Sequence, residues 1–260
     1  MLYSQEDARN TVDFISDTHL EWQSKRFFKS HVNRLLFNKC SDVLFIAGDF
    51  CQVDRWDQNN LNYLFKQYKQ VYYLFGNHEF YNSNIFKIDE LLEEVSEDYP
   101  NVKFIADNYY CEDLDTAFFV NWHPYHSLNK EKIADSHFIL DYKKHVDEMR
   151  KRDDLFLSKM LAEGVNPQVV VTHYLPFVES ISLRYLGSPL TPFFLSDREK
   201  PLLALQPKIV IHGHTHDSKS YVKQFEGTDI STSVWCNPIG YPGENTYTGE
   251  SVKHVFIDRG

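Results

Sequence analysis

The residues best suited to metal binding or catalysis are Asp, His and Asn residues that directly follow short apolar segments. Asp17 and His19 come after the segment Val-Asp-Phe-Ile-Ser, and Asp49 comes after Ile-Ala-Gly. Asn77 and His78 come after Leu-Phe-Gly. Carboxylate, amide and imidazole groups without an accompanying Cys are suited to hard or borderline divalent cations. These residue types at these places therefore indicate metal chemistry.

Two later segments end in the same way. His173 follows Val-Val-Val-Thr, and His214 and His216 follow Ile-Val-Ile-His-Gly. Alternate residues of an extended chain point to the same side, so His214 with His216, and Asp17 with His19, are each expected to bind an ion from one side. Taken one at a time, the Asp residues would also serve as helix N-caps, and His173 would also serve as a core histidine.

The elements that position these residues follow from the apolar pattern. Residues 12–15, 43–47 and 71–75 are rich in β-branched and aromatic residues, which predicts three buried strands. Between them, residues 27–37 and 56–68 carry apolar side chains at helical spacing. The resulting β-α-β-α-β order predicts a right-handed parallel sheet, whose carboxyl ends meet at a ligand crevice. The polar side chains after the three strands are thus expected side by side.

The rest of the chain continues this alternation. Helices are predicted at residues 85–95 and 141–162, and strands at 102–105, 117–120, 169–171, 209–211, 221–225, 233–236 and 252–257. Residues 121–138 show no clear period, which predicts a loop or cap. Because no internal repeat or linker is visible, the simplest prediction is an α/β fold with one domain over residues 1–260 and a cap or loop insertion around residues 107–145.

Composition excludes several classes of protein. The 260 residues include 27 Lys plus Arg and 37 Asp plus Glu, a formal net charge of -10. An acidic chain repels long duplex nucleic acid and anionic membranes. The four Cys residues lie far apart without a CxxC pair, and neither a signal peptide nor an apolar run of about 18 residues is visible. We therefore expect reduced, mostly buried cysteines and a cytoplasmic location.

Five sequence blocks, taken together, resemble the signature of the calcineurin-like metallophosphoesterase family. They occur in the family's order between residues 17 and 216. The blocks are Asp17-x-His19, Gly48-Asp49, Gly76-Asn77-His78-Glu79, Thr172-His173 and Gly213-His214-x-His216. The C-terminal half also resembles a largely uncharacterised microbial subset of that family, through the motifs Arg184-Tyr185-x-Gly187, His212-Gly-His-Thr-His-Asp217 and Cys236-Asn-Pro-x-Gly240.

The resemblance implies a four-layer α-β-β-α sandwich that holds two divalent metal ions. The ligand sets carried over from the family are Asp17, His19 and His216 for the first ion, Asn77, His173 and His214 for the second, and Asp49 as the bridge. Mixed nitrogen and oxygen ligands make Mn our first choice of metal, with Fe or Zn as alternatives.

The same resemblance implies hydrolysis of phosphate esters. Two divalent ions, two carboxylates and a bridging hydroxide leave a net charge of about +1, which attracts a phosphate ester. The metal-bridging hydroxide would attack in line. His78 is expected to lie over the substrate as the catalytic residue, where it would protonate the leaving oxygen or stabilise the transition state without binding metal.

The expected function is that of a phosphomonoesterase acting on a small or nucleotide-like substrate. A phosphodiesterase acting on cyclic nucleotides or single-stranded nucleic acid is the alternative. A non-catalytic scaffold is less favoured because His78 and every ligand position are present, and a protein phosphatase is less favoured because no feature of residues 121–138 indicates a peptide groove. Substrate-binding residues stay unassigned: the aromatic residues within 122–126 would line a pocket or pack over the core, and Arg184 would reach the substrate phosphate or pair with a surface acid.

Overall fold

The computed structural model describes residues 10–22, 28–56, 58–120, 133–195, 199–244 and 251–258. The strands in this part of the chain are β1 Thr11–Ile15, β2 Val43–Ala47, β3 Gln70–Leu74, β4 Val102–Ile105, β5 Tyr109–Cys111, β6 Thr116–Phe119, β7 Val169–Thr172, β8 Ile209–His212, β9 Lys219–Gln224, β10 Ser231–Cys236 and β11 Lys253–Phe256. The α-helices are α1 Phe28–Leu35, α2 Gln58–Phe65, α3 Ile85–Ser96, α4 Asp135–Phe138, α5 Tyr142–Ala162 and α6 Glu199–Leu205.

The strands form two sheets that are mostly parallel. The first sheet has the order β11-β1-β2-β3-β4, and the second has the order β5-β6-β7-β8-β10-β9. In the first sheet β1, β2, β3 and β4 run parallel, as the predicted crossovers require, and only β11 pairs antiparallel, on β1. In the second sheet β6, β7, β8 and β10 run parallel, and the edge strands β5 and β9 pair antiparallel.

The two sheets pack face to face, with helices on their outer faces. Adjacent residues of a strand point to opposite faces. On β3, Tyr72 stacks on Phe118 of the second sheet at 5.5 Å between ring centroids, whereas Tyr73 points to Phe65 of α2 at 6.4 Å. On β6, Phe118 lies between the sheets, whereas Phe119 meets Phe156 of α5 at 5.2 Å. The fully buried rings among these, Phe65, Tyr73, Phe118 and Phe119, each stabilise the fold by about 1.5–3 kcal/mol relative to an exposed ring.

This arrangement confirms the predicted four-layer class, and the differences from the predicted elements are local. Residues 135–138 form a helix within the segment predicted as a loop or cap, while β5 and α6 had no prediction. Residues 121–132, with their aromatic side chains, lie outside the described residues. The cap around residues 107–145 therefore stays a prediction.

Two predictions from composition can be compared with the structure. All four cysteines are free, and three of them are buried, with Cys40 partly exposed. Among the helices of the described residues, none is both long and apolar enough to cross a membrane.

Candidate metal centre

The predicted site residues come together at one edge of the sandwich, where five parallel strands end. They are Asp17 and His19 after β1, Asp49 after β2, Asn77 and His78 after β3, His173 after β7, and His214 and His216 after β8. Most of these side chains are almost completely buried, whereas His214 and His216 are partly exposed. The strand order of both sheets thus produces the convergence that the sequence predicts.

One ligand group consists of Asp17, His19 and His216. One donor atom from each of them lies within 4.8 Å of the other two. The Nε2 atoms of His19 and His216 are 3.0 Å apart, and His216 Nε2 is 3.6 Å from Asp17 Oδ1. His216 Nδ1 donates to Glu244 Oε2 at 2.8 Å, which leaves its Nε2 lone pair facing the group.

A second ligand group consists of Asp49, His173 and His214, with Asn77 beside them. His173 Nε2 lies 3.1 Å from Asn77 Oδ1, 3.1 Å from His214 Nδ1 and 3.3 Å from Asp49 Oδ2. His173 Nδ1 donates to the Ala47 carbonyl oxygen at 2.9 Å, so Nε2 is the atom left to bind.

The donor atoms of these groups fit metal ions. Burial lowers the pKa of His173, but Asp49 outweighs burial and raises that pKa to about 10, so the cluster attracts positive charge. A proton satisfies one or two lone pairs, whereas a divalent cation satisfies several at once. The orientation of the Asn77 amide also fits a metal ion. Its Nδ2 donates to Asp135 Oδ1 at 2.9 Å, and this directs the Asn77 Oδ1 atom toward His173. Nitrogen and oxygen donors of this kind suit Mn, Fe or Zn.

The backbone at five of these positions adopts the left-handed region that non-glycine residues rarely enter. The residues are Asp17 at φ 50°, His19 at 44°, Asp49 at 52°, His214 at 68° and His216 at 51°. Each such residue costs on the order of 1 kcal/mol. The sequence predicts that Asp17 with His19, and His214 with His216, each bind an ion from one side of an extended chain. Asp17 and His19 do belong to one group, but His214 and His216 belong to different groups, and left-handed rather than extended backbone directs all four side chains.

Two glycines leave the room that the ligands occupy. A Cβ atom on Gly48, which has φ 84°, would lie 2.3 Å from His173 Nδ1. A Cβ atom on Gly76 would lie 2.3 Å from Asp49 Oδ1 and 2.8 Å from His173 Cδ2. Real Cβ contacts essentially never fall below 3.0 Å, so any side chain at these positions displaces a ligand.

Glu79 holds the turns after β2 and β3 together through hydrogen bonds to their backbone N–H groups. Its fully buried carboxylate accepts hydrogen bonds from Asp49 N at 3.0 Å, Phe50 N at 2.7 Å, Gly76 N at 2.7 Å and Tyr73 Oη at 2.8 Å. Burial raises the pKa of Glu79 to about 7, with Asp49 adding to the rise. The sequence motif included Glu79 but suggested no role for it.

His78 lies beside the ligand groups in a setting of its own. Its ring stacks on Tyr81 at 4.3 Å, its Nδ1 lies 3.2 Å from Glu21 Oε1, and its Nε2 lies 3.9 Å from Asp49 Oδ2. Burial by itself lowers the pKa of His78, but the negative charges of Asp49 and then Glu21 outweigh burial and raise this pKa to about 9. The imidazole is therefore held as a cation at neutral pH, with Nδ1 donating to Glu21.

Sequence reasoning missed three acidic residues that support the site. Glu21, whose side chain is fully buried, reaches both His78 Nδ1 and, at 3.4 Å, His19 Nδ1. Asp135 turns the Asn77 amide, and Glu244 holds His216. The closeness of Glu21 to His19 in the chain was a usable signal, but nothing in the sequence pattern marks Asp135 or Glu244.

A cleft of about 490 Å³ opens over the centre, and its lining includes Asp49, Asn77, His78, His214 and His216. Seven Phe, Tyr and Trp residues contribute to its walls: Trp22, Tyr81, Phe138, Tyr185, Phe193, Phe194 and Tyr241. Arg184, one candidate for the substrate phosphate, instead donates to Asp217 Oδ1 at 2.9 Å and is half exposed. The alternative that it pairs with a surface acid is the one that the structure supports.

Comparison with known proteins agrees with this architecture. Residues 11–218 match the family model described as calcineurin-like phosphoesterase. An uncharacterised protein of Acanthamoeba polyphaga mimivirus is 26% identical over an alignment of 283 positions, which covers 94% of this chain and 98% of the relative.

Two solved structures have a similar fold. The phosphopantetheinyl hydrolase of Mycobacterium tuberculosis superposes with a TM-score of 0.67 at 16% identity, over 97% of this chain and 98% of that one. A dimetal phosphatase from Danio rerio superposes with a TM-score of 0.55 at 12% identity, over 96% of this chain and 93% of that one. At such identities the likeness concerns the fold.

Proposed function

Since the chain belongs to the calcineurin-like phosphoesterase family and is accordingly a metal-dependent phosphoesterase, we propose that it hydrolyses small or nucleotide-like phosphate monoesters. The observation that carries this proposal is the meeting of five strand ends below one cleft, with mixed carboxylate, amide and imidazole donors and with His78 in its lining. A cleft of about 490 Å³ is of the size that encloses a small-molecule ligand.

We propose that the two ligand groups each hold one divalent ion, with Asp49 shared between them. The proposed ligands are Asp17, His19 and His216 for one ion and Asn77, His173 and His214 for the other. Mn is the first choice, with Fe or Zn as alternatives. When bound, such ions polarise the phosphate oxygens and activate water as the nucleophile.

His78 is the proposed general acid. Glu21 accepts a hydrogen bond from the Nδ1–H group of His78 and so fixes the orientation of the ring. The Nε2–H group of His78 is then the one that faces the cleft. This proton would pass to the leaving alkoxide oxygen as charge develops on that oxygen. Proton transfer from a positioned side chain contributes about 10²- to 10⁴-fold to rate.

Metal analysis and a substrate panel test the proposal. Protein purified without chelator is analysed for bound metal and then supplied with Mn, Fe or Zn and assayed on p-nitrophenyl phosphate, bis(p-nitrophenyl) phosphate, nucleoside monophosphates and cyclic nucleotides. We expect the monoesters to be hydrolysed faster than the diesters. A preference for diesters would replace the proposal by a phosphodiesterase, and a protein that binds no metal and hydrolyses no ester would refute it.

The role of His78 is tested separately. His78→Ala should lower kcat by about 10²- to 10⁴-fold on the preferred monoester and leave the metal content unchanged. His254→Ala, in β11 at the edge of the first sheet, is the control and should leave kcat unchanged. Wild-type turnover in His78→Ala would remove this residue from the mechanism.

A further inference from the structure

The walls of the cleft carry two rows of stacked aromatic rings, and each row ends on a histidine of the centre. In the first row, Tyr185 stacks on Phe194 at 5.5 Å and 15° between planes, and Phe194 lies 4.9 Å from the His214 ring. The row comes from the segment 183–194, in which two short 3-10 helices bring apolar side chains to the cleft.

The second row leads to His78. Phe138 of α4 stacks on Tyr81 at 5.0 Å and 25°, and Tyr81 stacks on His78 at 4.3 Å and 26°. Asp135 fixes this row from the side, because Tyr81 Oη donates to Asp135 Oδ1 at 2.7 Å. Both rows line the same cleft.

The outer rings of the two rows are not packed away in the core. Phe138 is 48% exposed and Tyr185 is 38% exposed, whereas Tyr81 is 6% exposed. An aromatic ring that merely covers the core buries most of its surface, as Tyr81 does. Rings that keep free surface inside a concave site instead offer apolar area and a π face to a ligand.

On the basis of the function proposed above, we propose that the substrate is a phosphate monoester whose alcohol carries a planar aromatic ring, as in a nucleoside monophosphate. Its phosphate lies at the inner end of the cleft, over His78 and His214. Its ring system lies against the outer rings Tyr185 and Phe138. Stacking on aromatic side chains tolerates any flat ring and needs no hydrogen-bond pattern.

The observations favour a ring over a ring-free alcohol of similar size. A polyol such as glycerol presents hydroxyl groups, which lose hydrogen bonds to water when they lie against Tyr185, Phe194 and Phe138. A ring system keeps the polar edge at the cleft mouth and buries its faces on these side chains. Asn82, an exposed residue of the lining, offers polar groups that are able to bind that edge.

The experiment compares adenosine monophosphate with glycerol 3-phosphate on the metal-loaded, full-length chain. The variants are Tyr185→Ala, Phe138→Ala and the double variant. Leu183→Ala is the matched control, since it belongs to the same 3-10 helix as Tyr185, is 86% exposed and does not line the cleft. In the double variant we expect KM for adenosine monophosphate to rise at least about fivefold, the lower bound for loss of one base–aromatic stack. KM for glycerol 3-phosphate should stay within about twofold.

The results separate this proposal from the proposed function. If KM in the double variant changes equally for both substrates, or for neither, the stacking role is overturned, whereas the proposal of phosphoester hydrolysis is unaffected. If the wild-type protein hydrolyses no ester, the proposed function fails, and calorimetric titration of adenosine monophosphate into His78→Ala protein decides the stacking role alone. A dissociation constant that rises at least about fivefold on adding the Tyr185→Ala and Phe138→Ala changes supports it, and an unchanged constant or no binding overturns it.

Discussion

Gly76→Ala offers a steric probe of the centre, since an added Cβ atom would also lie only 2.8 Å from the backbone nitrogen of Asp49. The φ angle of Gly76 lies outside the left-handed region, so alanine costs nothing in backbone conformation there. Its Cβ atom, however, would lie 2.3 Å from Asp49 Oδ1 and 2.8 Å from His173 Cδ2. To restore the 3.0 Å minimum, Asp49 Oδ1 must move by about 0.7 Å, the difference between the two distances.

A shift of this size exceeds the tolerance of a metal–ligand bond, which is about 0.2 Å. A misplacement of about 1 Å at a reacting centre costs about 10²-fold in rate. We therefore expect Gly76→Ala to lose bound metal and to lower kcat/KM on p-nitrophenyl phosphate by about 10²-fold. Overpacking should lower the free energy of unfolding by only about 1–3 kcal/mol, so the variant remains folded.

The assay measures metal per chain after dialysis, kcat/KM, and unfolding by urea. Gly164→Ala is the control: it lies after α5 at φ 69° with no atom within 4 Å of an added Cβ, so it introduces backbone strain without touching a ligand. That control should lose stability by about 1 kcal/mol and keep its metal. Full metal content and full activity in Gly76→Ala would refute the reasoning, because they would mean that Asp49 and His173 need not be where the structure places them.

Three further predictions concern charge. Glu21→Gln keeps the shape of the side chain but removes the charge that holds His78, so kcat/KM should fall about 10- to 100-fold, with the exposed Glu179→Gln as control. Glu79→Ala removes the acceptor of four buried backbone N–H groups, those of Asp49, Phe50, Cys51 and Gly76, and the free energy of urea unfolding of metal-free protein should fall by about 3–5 kcal/mol; a fall below about 1 kcal/mol would contradict this role of Glu79. Burial, helped by Arg34, lowers the pKa of His31 from its ordinary 6.5 to about 4, so the fold favours the neutral ring. The contribution of His31 to the free energy of unfolding is therefore complete above pH 6.5 and is lost as the pH falls toward 4. Between pH 7 and pH 5, the free energy of urea unfolding of metal-free protein should fall by about 2 kcal/mol less in His31→Leu than in wild type. An equal fall in both proteins would exclude His31 as the cause.

The sequence was informative where one local pattern predicts both a strand and the position of the site residue that follows it. The strands before Asp17, Asp49 and Asn77 were predictable because apolar, β-branched segments end there, and parallel crossovers then require the ends to converge. The three-residue strand β5 and the seven-residue helix α6 are too short to establish a period, so neither was predicted.

The support of the site was less predictable because it depends on contacts between distant parts of the chain. Asp135 meets Asn77 across 58 positions, and Glu244 meets His216 across 28. Such partners follow from the packing of loops, which no spacing rule describes. The left-handed backbone of the ligands was equally hidden, since Asp and His at those positions were compatible with an extended chain.

The left-handed backbone at Asp17, His19, Asp49, His214 and His216 places stability and metal affinity in opposition. Glycine at any of these positions would relieve strain of about 1 kcal/mol in the metal-free chain and delete a ligand in the same step. Selection for a more robust fold alone would therefore erode the centre one residue at a time. Conversely, because the turns already direct the donor atoms, we expect little conformational entropy to be lost when ions bind, so that the metal-free chain would act as a preformed receptor.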